Sequence, residues 1–195
     1  MNLALFDFDG TISDRDSFLL FVRHTVGVAR FAAGMAILAP QVLRFLCGRY
    51  PNHRLKEDVL TRFFCNWTVQ DFCRAAEEFS RQRIPAIIRP AAGQRLAWHR
   101  QQGDRIVIVS ATPELILAPW CRRNDLELIA TRLEVADDRL TGRISGRNCR
   151  GPEKVARIKS FCTPADYDEI YAYGDTDGDR PMLAMAHRPS FRPFR

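Results

Sequence analysis

The sequence predicts an α/β protein, a doubly wound and mostly parallel sheet carrying an inserted all-helical segment. Three observations lead there. Short apolar runs recur along the chain: "LALFDF" (3–8), "RIVIVS" (105–110) and "EIYAYG" (169–174), with "LELIATRL" (126–133) as a fourth. Strands buried on both faces read this way, continuous rather than alternating. Helical patterns over 90–102, 113–123 and 152–161 lie between and after them. Pro113 and Pro152 open the last two, suiting a first turn whose N–H groups have no partner within the helix. Third, the stretch 15–88 has no strand-like run and four helical patterns, about 17–33, 35–47, 54–65 and 69–83. Strand–helix alternation argues for the doubly wound sheet. Residues 1–14 and 89–195 are therefore expected to form the core, and 15–88 a helical cap over the C-terminal edge of the sheet. "RLEVADDRLTGRIS" (132–145) reads instead as a β-hairpin turning at Asp137-Asp138.

A chain of 195 residues is long enough for one good core with a smaller appendage. It is 46% hydrophobic and 27% charged, as soluble globular proteins are, with a net charge of +6. Only three of its 29 basic residues are lysines. Such an arginine-rich surface suits phosphate-bearing partners or an anionic membrane face, and equally a genome that prefers arginine codons. Without a basic tail, finger spacing or an RNA-binding aromatic motif, nucleic acid is not expected as a partner. The six cysteines are scattered, with no CxxC pair, and read as free, buried thiols of a reducing compartment. No signal-peptide pattern opens the chain, so the cytoplasm is expected.

"LALFDFDGT" (3–11) poses the chemical question. In an extended segment Asp7 and Asp9 point the same way, so two carboxylates leave a hydrophobic strand side by side and repel each other. Ligands of open α/β sheets bind beyond the carboxyl ends of the strands, and what gathers there forms a set. The first strand ends in Asp7, Asp9, Gly10 and Thr11, and "RIVIVS" ends in Ser110 followed by Ala111, Thr112 and Pro113. "EIYAYG" is followed by Asp175, Asp177 and Asp179, and Lys154 lies in the first turn of the helix opened by "GPEK". Carboxylates with a hydroxyl and an ammonium make a site for a hard divalent cation and a phosphoryl group. Oxygen donors point to Mg²⁺ rather than to zinc. "DTDGD" is not an EF-hand loop, because the positions that need Gly and Glu are Arg180 and Ala186.

These residues carry a resemblance. "FDFDGT" is similar to the first motif of the haloacid dehalogenase superfamily, Ser110 to its second, Lys154 to its third and "GDTDGDRPML" (174–183) to its fourth, in the family's order. The helical insertion resembles that of the phosphoserine-phosphatase-like group. "NCRGPEKVARI" (148–158) also resembles the phosphatidylglycerophosphatase C branch. The resemblance implies a Rossmann-like core and a phosphatase acting through an aspartyl-phosphate. Asp7 would be the nucleophile, and Asp9 the acid and then the base. Ser110 would bind the phosphoryl oxygens and Lys154 would neutralise charge. Mg²⁺ would be held by Asp7, the backbone carbonyl of Asp9, and Asp175. Thr11 and Asp179 would support the site from behind.

The substrate is less determined. Phosphoserine phosphatases tend to carry Asn where this chain has Gly178, and they bind the substrate carboxylate through a cap arginine. Lys56 or Arg62 stands nearest to that role here. Asp16 resembles the acid that reads a substrate amine, and equally suits a helix N-cap before "SFLLFV". "FAAGMAILAPQVL" (31–43) is an uncharged run between Arg30 and Arg44, too short to span a bilayer of roughly 30 Å. It reads first as a helix of the cap core, and next as an interfacial segment against an anionic membrane surface. The expected substrate is thus a phosphoglycerol or lipid-headgroup phosphate, acted on at the inner face of the cell membrane. Phosphoserine or another small metabolite phosphate is the alternative, and a catalytically idle phospho-ligand-binding protein the reading from another class. The family often adds a final strand and helix, for which "HRPSFRPFR" leaves little chain.

Overall fold

Strand β1 (Leu3–Phe6) is buried along its whole length and lies at the centre of the sheet. A computed structural model describes all 195 residues. β1 pairs in parallel with β2 (Arg105–Pro113) on one side and with β6 (Ile170–Gly174) on the other. β3 (Glu127–Thr131) flanks β2, and β7 (Arg188–Phe191) flanks β6. All five strands are parallel, in the order β3-β2-β1-β6-β7. The chain therefore winds away from β1 in both directions, and the crevice of such a switch lies at the carboxyl end of β1. Outside the sheet, β4 (Leu133–Ala136) and β5 (Arg139–Ile144) form the expected hairpin. Asp137 and Asp138 both have positive φ, as a two-residue primed turn requires.

Five helices separate β1 from the rest of the sheet: α1 (Ser17–Val26), α2 (Val28–Ile37), α3 (Ala39–Leu46), α4 (Asn52–Phe64) and α5 (Val69–Gln82). α6 (Pro90–Gln101), α7 (Glu114–Arg123), α8 (Pro152–Phe161) and α9 (Arg180–Ala184) are the helices among and after the sheet strands. One hydrophobic cluster runs without a break from Phe6 and Ile108 in the sheet, through Leu117 and Trp120 of α7, to Phe21, Phe64, Phe72 and Phe79 of the helical segment. Phe8 meets Trp120 edge to face at 5.2 Å, and Phe21 stacks on Phe64 and meets Phe72 and Phe79 edge to face, at 5.1–5.4 Å. A second cluster under the opposite face joins Leu3, Leu5, Val107, Val109 and Ile158.

Several elements differ from the sequence expectation. The pattern over 17–33 is two helices meeting at 118°, because Gly27 adopts φ +82 between them. The run 31–43 is core on one face only: Leu38 joins the main hydrophobic cluster and Phe31 and Met35 pack against it, while Ile37 and Leu43 are 58% and 63% exposed. Pro40 sits in the first turn of α3 rather than kinking a longer helix. β2 continues to Pro113, with a shift of register after Ser110, so α7 begins one residue later than expected. β7 was not legible because it is a short exposed edge strand containing Pro189, a residue that only an edge accommodates. All six cysteines are free, but Cys47 and Cys65 are exposed at the ends of α3 and α4 rather than buried. No single helix is long and apolar enough to cross a membrane.

Candidate active site

Beyond Phe6 the backbone stays in the sheet for one more bond, Asp7 N–H to the Tyr173 carbonyl at 2.9 Å, and then turns at Gly10 with φ +83. Glycine is required there twice over. Few other residues tolerate that φ, and a β-carbon on Gly10 would stand 2.3 Å from Oδ2 of Asp175. The turn thus lets the loop after β6 bring Asp175 against the end of β1.

Lys154, buried in the first turn of α8, spends all three of its N–H donors at this junction. It donates to Asp7 Oδ1 at 2.7 Å, Asp179 Oδ1 at 2.6 Å and the Val109 carbonyl at 2.6 Å. Burial alone would depress its pKa, but the facing carboxylates of Asp7 and Asp179 outweigh burial and hold the ammonium charged. Burial pushes the Asp7 carboxyl up to about 7, with Lys154 pulling it back and Asp179 and Asp9 adding to the rise. The second oxygen of Asp179 accepts from Asp175 N–H, Thr176 N–H and the Thr176 hydroxyl at 2.9–3.2 Å. Both Asp179 oxygens are therefore committed, one to Lys154 and one to the loop that carries Asp175.

Asp7, Asp175 and Asp179 each bring a carboxylate oxygen within 4.8 Å of the other two. All three are buried, facing the Lys154 ammonium and the Arg195 guanidinium, which donates to Asp175 Oδ2 at 2.5 Å. Burial raises the Asp175 carboxyl while Arg195 pulls it back. Hard oxygen donors in excess of cation, with no histidine or thiol among them, fit a small divalent ion such as Mg²⁺. Asp179 is the third carboxylate of this cluster, whereas Asp9 was expected to bring its backbone carbonyl. The Asp9 side chain is held elsewhere in the same pocket. Its Oδ1 accepts from Ser17 N–H at 2.7 Å and its Oδ2 from the Thr112 hydroxyl at 2.5 Å. Burial, then the neighbouring Asp16 carboxylate, push the Asp9 carboxyl up to about 6 against these two bonds.

The pocket has a volume of about 340 Å³ and is lined by Asp7, Asp9, Asp16, Lys56, Thr112, Arg150, Lys154 and Asp179 among others, with Phe18 and Ala111 its only hydrophobic members. A larger cleft of about 730 Å³ around Trp67 and Arg74 shares none of these residues. Asp16 is the expected N-cap of α1, accepting from Leu19 N–H at 2.8 Å, and it also lines the pocket. Lys56 reaches from α4 to the end of β2, donating to the Ala111 carbonyl at 2.5 Å and to Asn148 Oδ1 at 3.0 Å. Burial lowers its pKa to about 8 against the pull of Asp9 and Asp16. Thr11 stands 3.5 Å from Asp175 Oδ1. Ser110 is buried at the end of β2, accepts from Thr112 N–H at 3.0 Å and donates to no protein group. Arg62 lies exposed on α4 and does not reach the pocket.

Sequence reasoning missed Thr112, Asn148 and Arg150 as site residues. Asn148 joins the layers: its Oδ1 accepts from Lys56 and from Thr131 at 2.9 Å, while its Nδ2 donates to Asn52 of α4 at 3.2 Å. The signal for Thr112 was its place two residues past Ser110; Asn148 and Arg150 lie in the run 148–158 that carried the resemblance, where only Lys154 was assigned a role.

Residues 4–184 match the family model of haloacid dehalogenase-like hydrolases. Protein CicA of Caulobacter vibrioides is 37% identical over 195 residues, covering 99% of this chain and 86% of that one. Histidinol-phosphatase of Neisseria meningitidis is 26% identical over 199 residues, covering 96% and 88%. Among solved structures, a Bordetella pertussis protein of unknown function superposes with TM-score 0.83 at 28% identity over 96% of this chain and 88% of that one. A phospho-aspartyl intermediate analogue of phosphoserine phosphatase superposes with TM-score 0.66 at 17% identity over 94% and 82%, a likeness of fold.

Proposed function

The chain belongs to the haloacid dehalogenase-like hydrolases, and from that premise we propose that it is a Mg²⁺-dependent phosphomonoesterase acting through an aspartyl-phosphate on Asp7. One observation carries the reading: a buried lysine holds Asp7 by one oxygen and Asp179 by another, at the floor of a pocket whose wall bears Asp9. Asp7 attacks phosphorus in line with the leaving oxygen. Asp9, moored by Ser17 and Thr112, gives its proton to that oxygen and then takes one from the attacking water. Lys154 offsets charge on Asp7, and the free donor of Ser110 serves the phosphoryl oxygens. Asp7, Asp175 and the backbone carbonyl of Asp9 would hold the ion, which supplies positive charge to the phosphoryl oxygens; Asp179 and Thr11 orient that set. Residues 15–88 act as the cap, delivering Asp16 and Lys56 to the substrate. A protein that only binds phosphate has no use for the moored second carboxylate, which argues against an idle member of the family.

A small, polar pocket suits a small phosphate ester. A second reading, a phosphoglycerol-type lipid headgroup at an anionic membrane surface, is favoured by the outer face of α2 and α3. Val28, Ile37, Leu43 and Leu46 are 58–72% exposed there, with Arg30, Arg44 and Arg49 free of any acidic partner. Phosphate release from micellar phosphatidylglycerophosphate and from phosphoserine, with and without Mg²⁺ and with Asp7→Asn as the blank, tests both. Turnover of either that persists in the blank refutes Asp7 as nucleophile. Turnover of the lipid alone selects the membrane reading.

A further inference from the structure

Four cations line the pocket, and three are committed. Lys154 is spent on Asp7, Asp179 and the Val109 carbonyl, and Lys56 on the Ala111 carbonyl and Asn148. Arg15 pairs with Asp14 at 3.8 Å. The fourth, Arg150, makes no side-chain hydrogen bond and no ion pair, although Asp177 and Asp179 stand on the adjoining loop; Asp177 is taken by Arg180 at 2.7 Å. Arg150 is exposed to solvent at the pocket mouth, beside five carboxylates of the pocket lining, and the backbone rather than charge pairing sets where its arm lies. Gly151 N–H bonds the Gly178 carbonyl at 2.8 Å, tying the start of α8 to the loop after β6. The arginine arm then lies across Gly178, where a β-carbon would stand 2.6 Å from Nε and 2.8 Å from Cγ of Arg150. Gly178 has no left-handed φ to demand glycine, so its missing side chain serves the space and not the turn.

We propose that Arg150, seated across Gly178, is a substrate-binding arginine that grips an anionic oxygen group of the phosphate ester at the pocket mouth. The proposal rests on the phosphatase reading above. A planar guanidinium with all its donors free is matched to a phosphoryl or carboxylate group in a two-bond fork. The glycine makes a sharp test possible, because alanine there is tolerated by the backbone and displaces only the flexible arm.

Kinetics with a small aryl phosphate, and competition by inorganic phosphate, are measured for wild type, Arg150→Gln, Arg150→Lys, Gly178→Ala and the double variant Arg150→Gln/Gly178→Ala. Arg150→Gln is expected to raise KM about tenfold or more, with the loss falling on KM rather than kcat, and Arg150→Lys to recover part of it. Gly178→Ala reproduces the loss, and the double variant is no worse than Arg150→Gln alone. A matching rise in the phosphate inhibition constant places the grip on the phosphoryl group. An unchanged constant, with loss confined to esters bearing a second acid, places it on the leaving group. Unchanged KM for all esters in Arg150→Gln, or fully additive losses in the double variant, overturns the proposal. Calorimetric titration of inorganic phosphate into Asp7→Asn, with and without Arg150→Gln, needs no turnover. Loss of phosphate binding there upholds Arg150 even if the phosphatase reading fails.

Discussion

Replacing Thr112 by valine keeps the shape of the side chain and removes one hydroxyl. That hydroxyl donates to Asp9 at 2.5 Å, within the range of charge-assisted O–H···O⁻ bonds, and such a bond contributes about 1.5–3 kcal/mol. Asp9 keeps its other mooring, the Ser17 backbone N–H at 2.7 Å. If the lost bond is what aims Asp9 at the leaving oxygen, its energy appears in the barrier, and at 1.36 kcal/mol per decade kcat falls about 10- to 150-fold. The loss depends on the leaving group. An alkyl phosphate, whose alkoxide needs the proton, suffers it in full, whereas an activated aryl phosphate is spared much of it. The pH profile moves as well. The Thr112 bond lowers the Asp9 pKa, so removing it raises that pKa from about 6. The protonated acid then persists to higher pH, and the alkaline limb of kcat for the alkyl ester shifts upward. Ser17→Ala keeps the backbone bond to Asp9 but removes a hydroxyl that stands 3.3 Å from the Thr112 hydroxyl and also lowers the Asp9 pKa, so it is expected to move the same limb in the same direction. Equal losses for the two esters, or an unmoved alkaline limb, would refute Asp9 as the acid held by Thr112.

Asp16→Asn removes a negative charge that raises the Asp9 pKa, so the same limb shifts to lower pH, which a pH–rate profile reads directly. Lys154→Met leaves Asp7 and Asp179 buried without their shared cation. It is expected to abolish turnover and lower stability by about 3–5 kcal/mol in denaturant unfolding, since breaking a buried pair strands a charge. Gly10→Ala drives a β-carbon into Asp175 at a φ of +83, and is expected to weaken Mg²⁺ activation more than tenfold in a metal titration. Chelation stops phosphate release, and Mg²⁺ at 100 times its dissociation constant stabilises the wild type by about 2.7 kcal/mol in thermal unfolding. Asp175→Asn gains less.

The legible part of the molecule was the part that chemistry fixes locally. Buried strands announce themselves as unbroken apolar runs, Asp7 and Asp175 stand where two of those runs end, Asp179 follows four residues on, and Lys154 was marked by the helix start at Pro152 and by the motif resemblance. Asp9 was found by its spacing from Asp7, but what moors its carboxylate, Ser17 N–H and the Thr112 hydroxyl, was not, because alternation along one strand cannot place partners on other elements. Arg150 and Asn148 stood in the run 148–158 beside Lys154 but drew no role, for a different reason. Their work depends on which loop passes which, and a contact between residues 150 and 178 leaves no periodic trace. The run 31–43 was half legible: Phe31, Met35 and Leu38 pack as a cap helix should, but an uncharged run carries no mark that Ile37 and Leu43 face outward.

The unbroken aromatic seam from Trp120 and Phe8 to Phe21, Phe64, Phe72 and Phe79 bears on how this fold could be recombined. By chain order residues 15–88 look like a cassette, with both ends entering and leaving near the same strand. By packing they are half of a shared interior whose other half is α7, to which α5 is also bound through Arg123 with Glu77 and Ser80. A chimaera cut at the two chain crossings would leave Trp120 and Leu117 facing a foreign surface. The exchangeable unit is therefore discontinuous, comprising 15–88 together with α7, and grafts of that unit retain one cooperative unfolding transition.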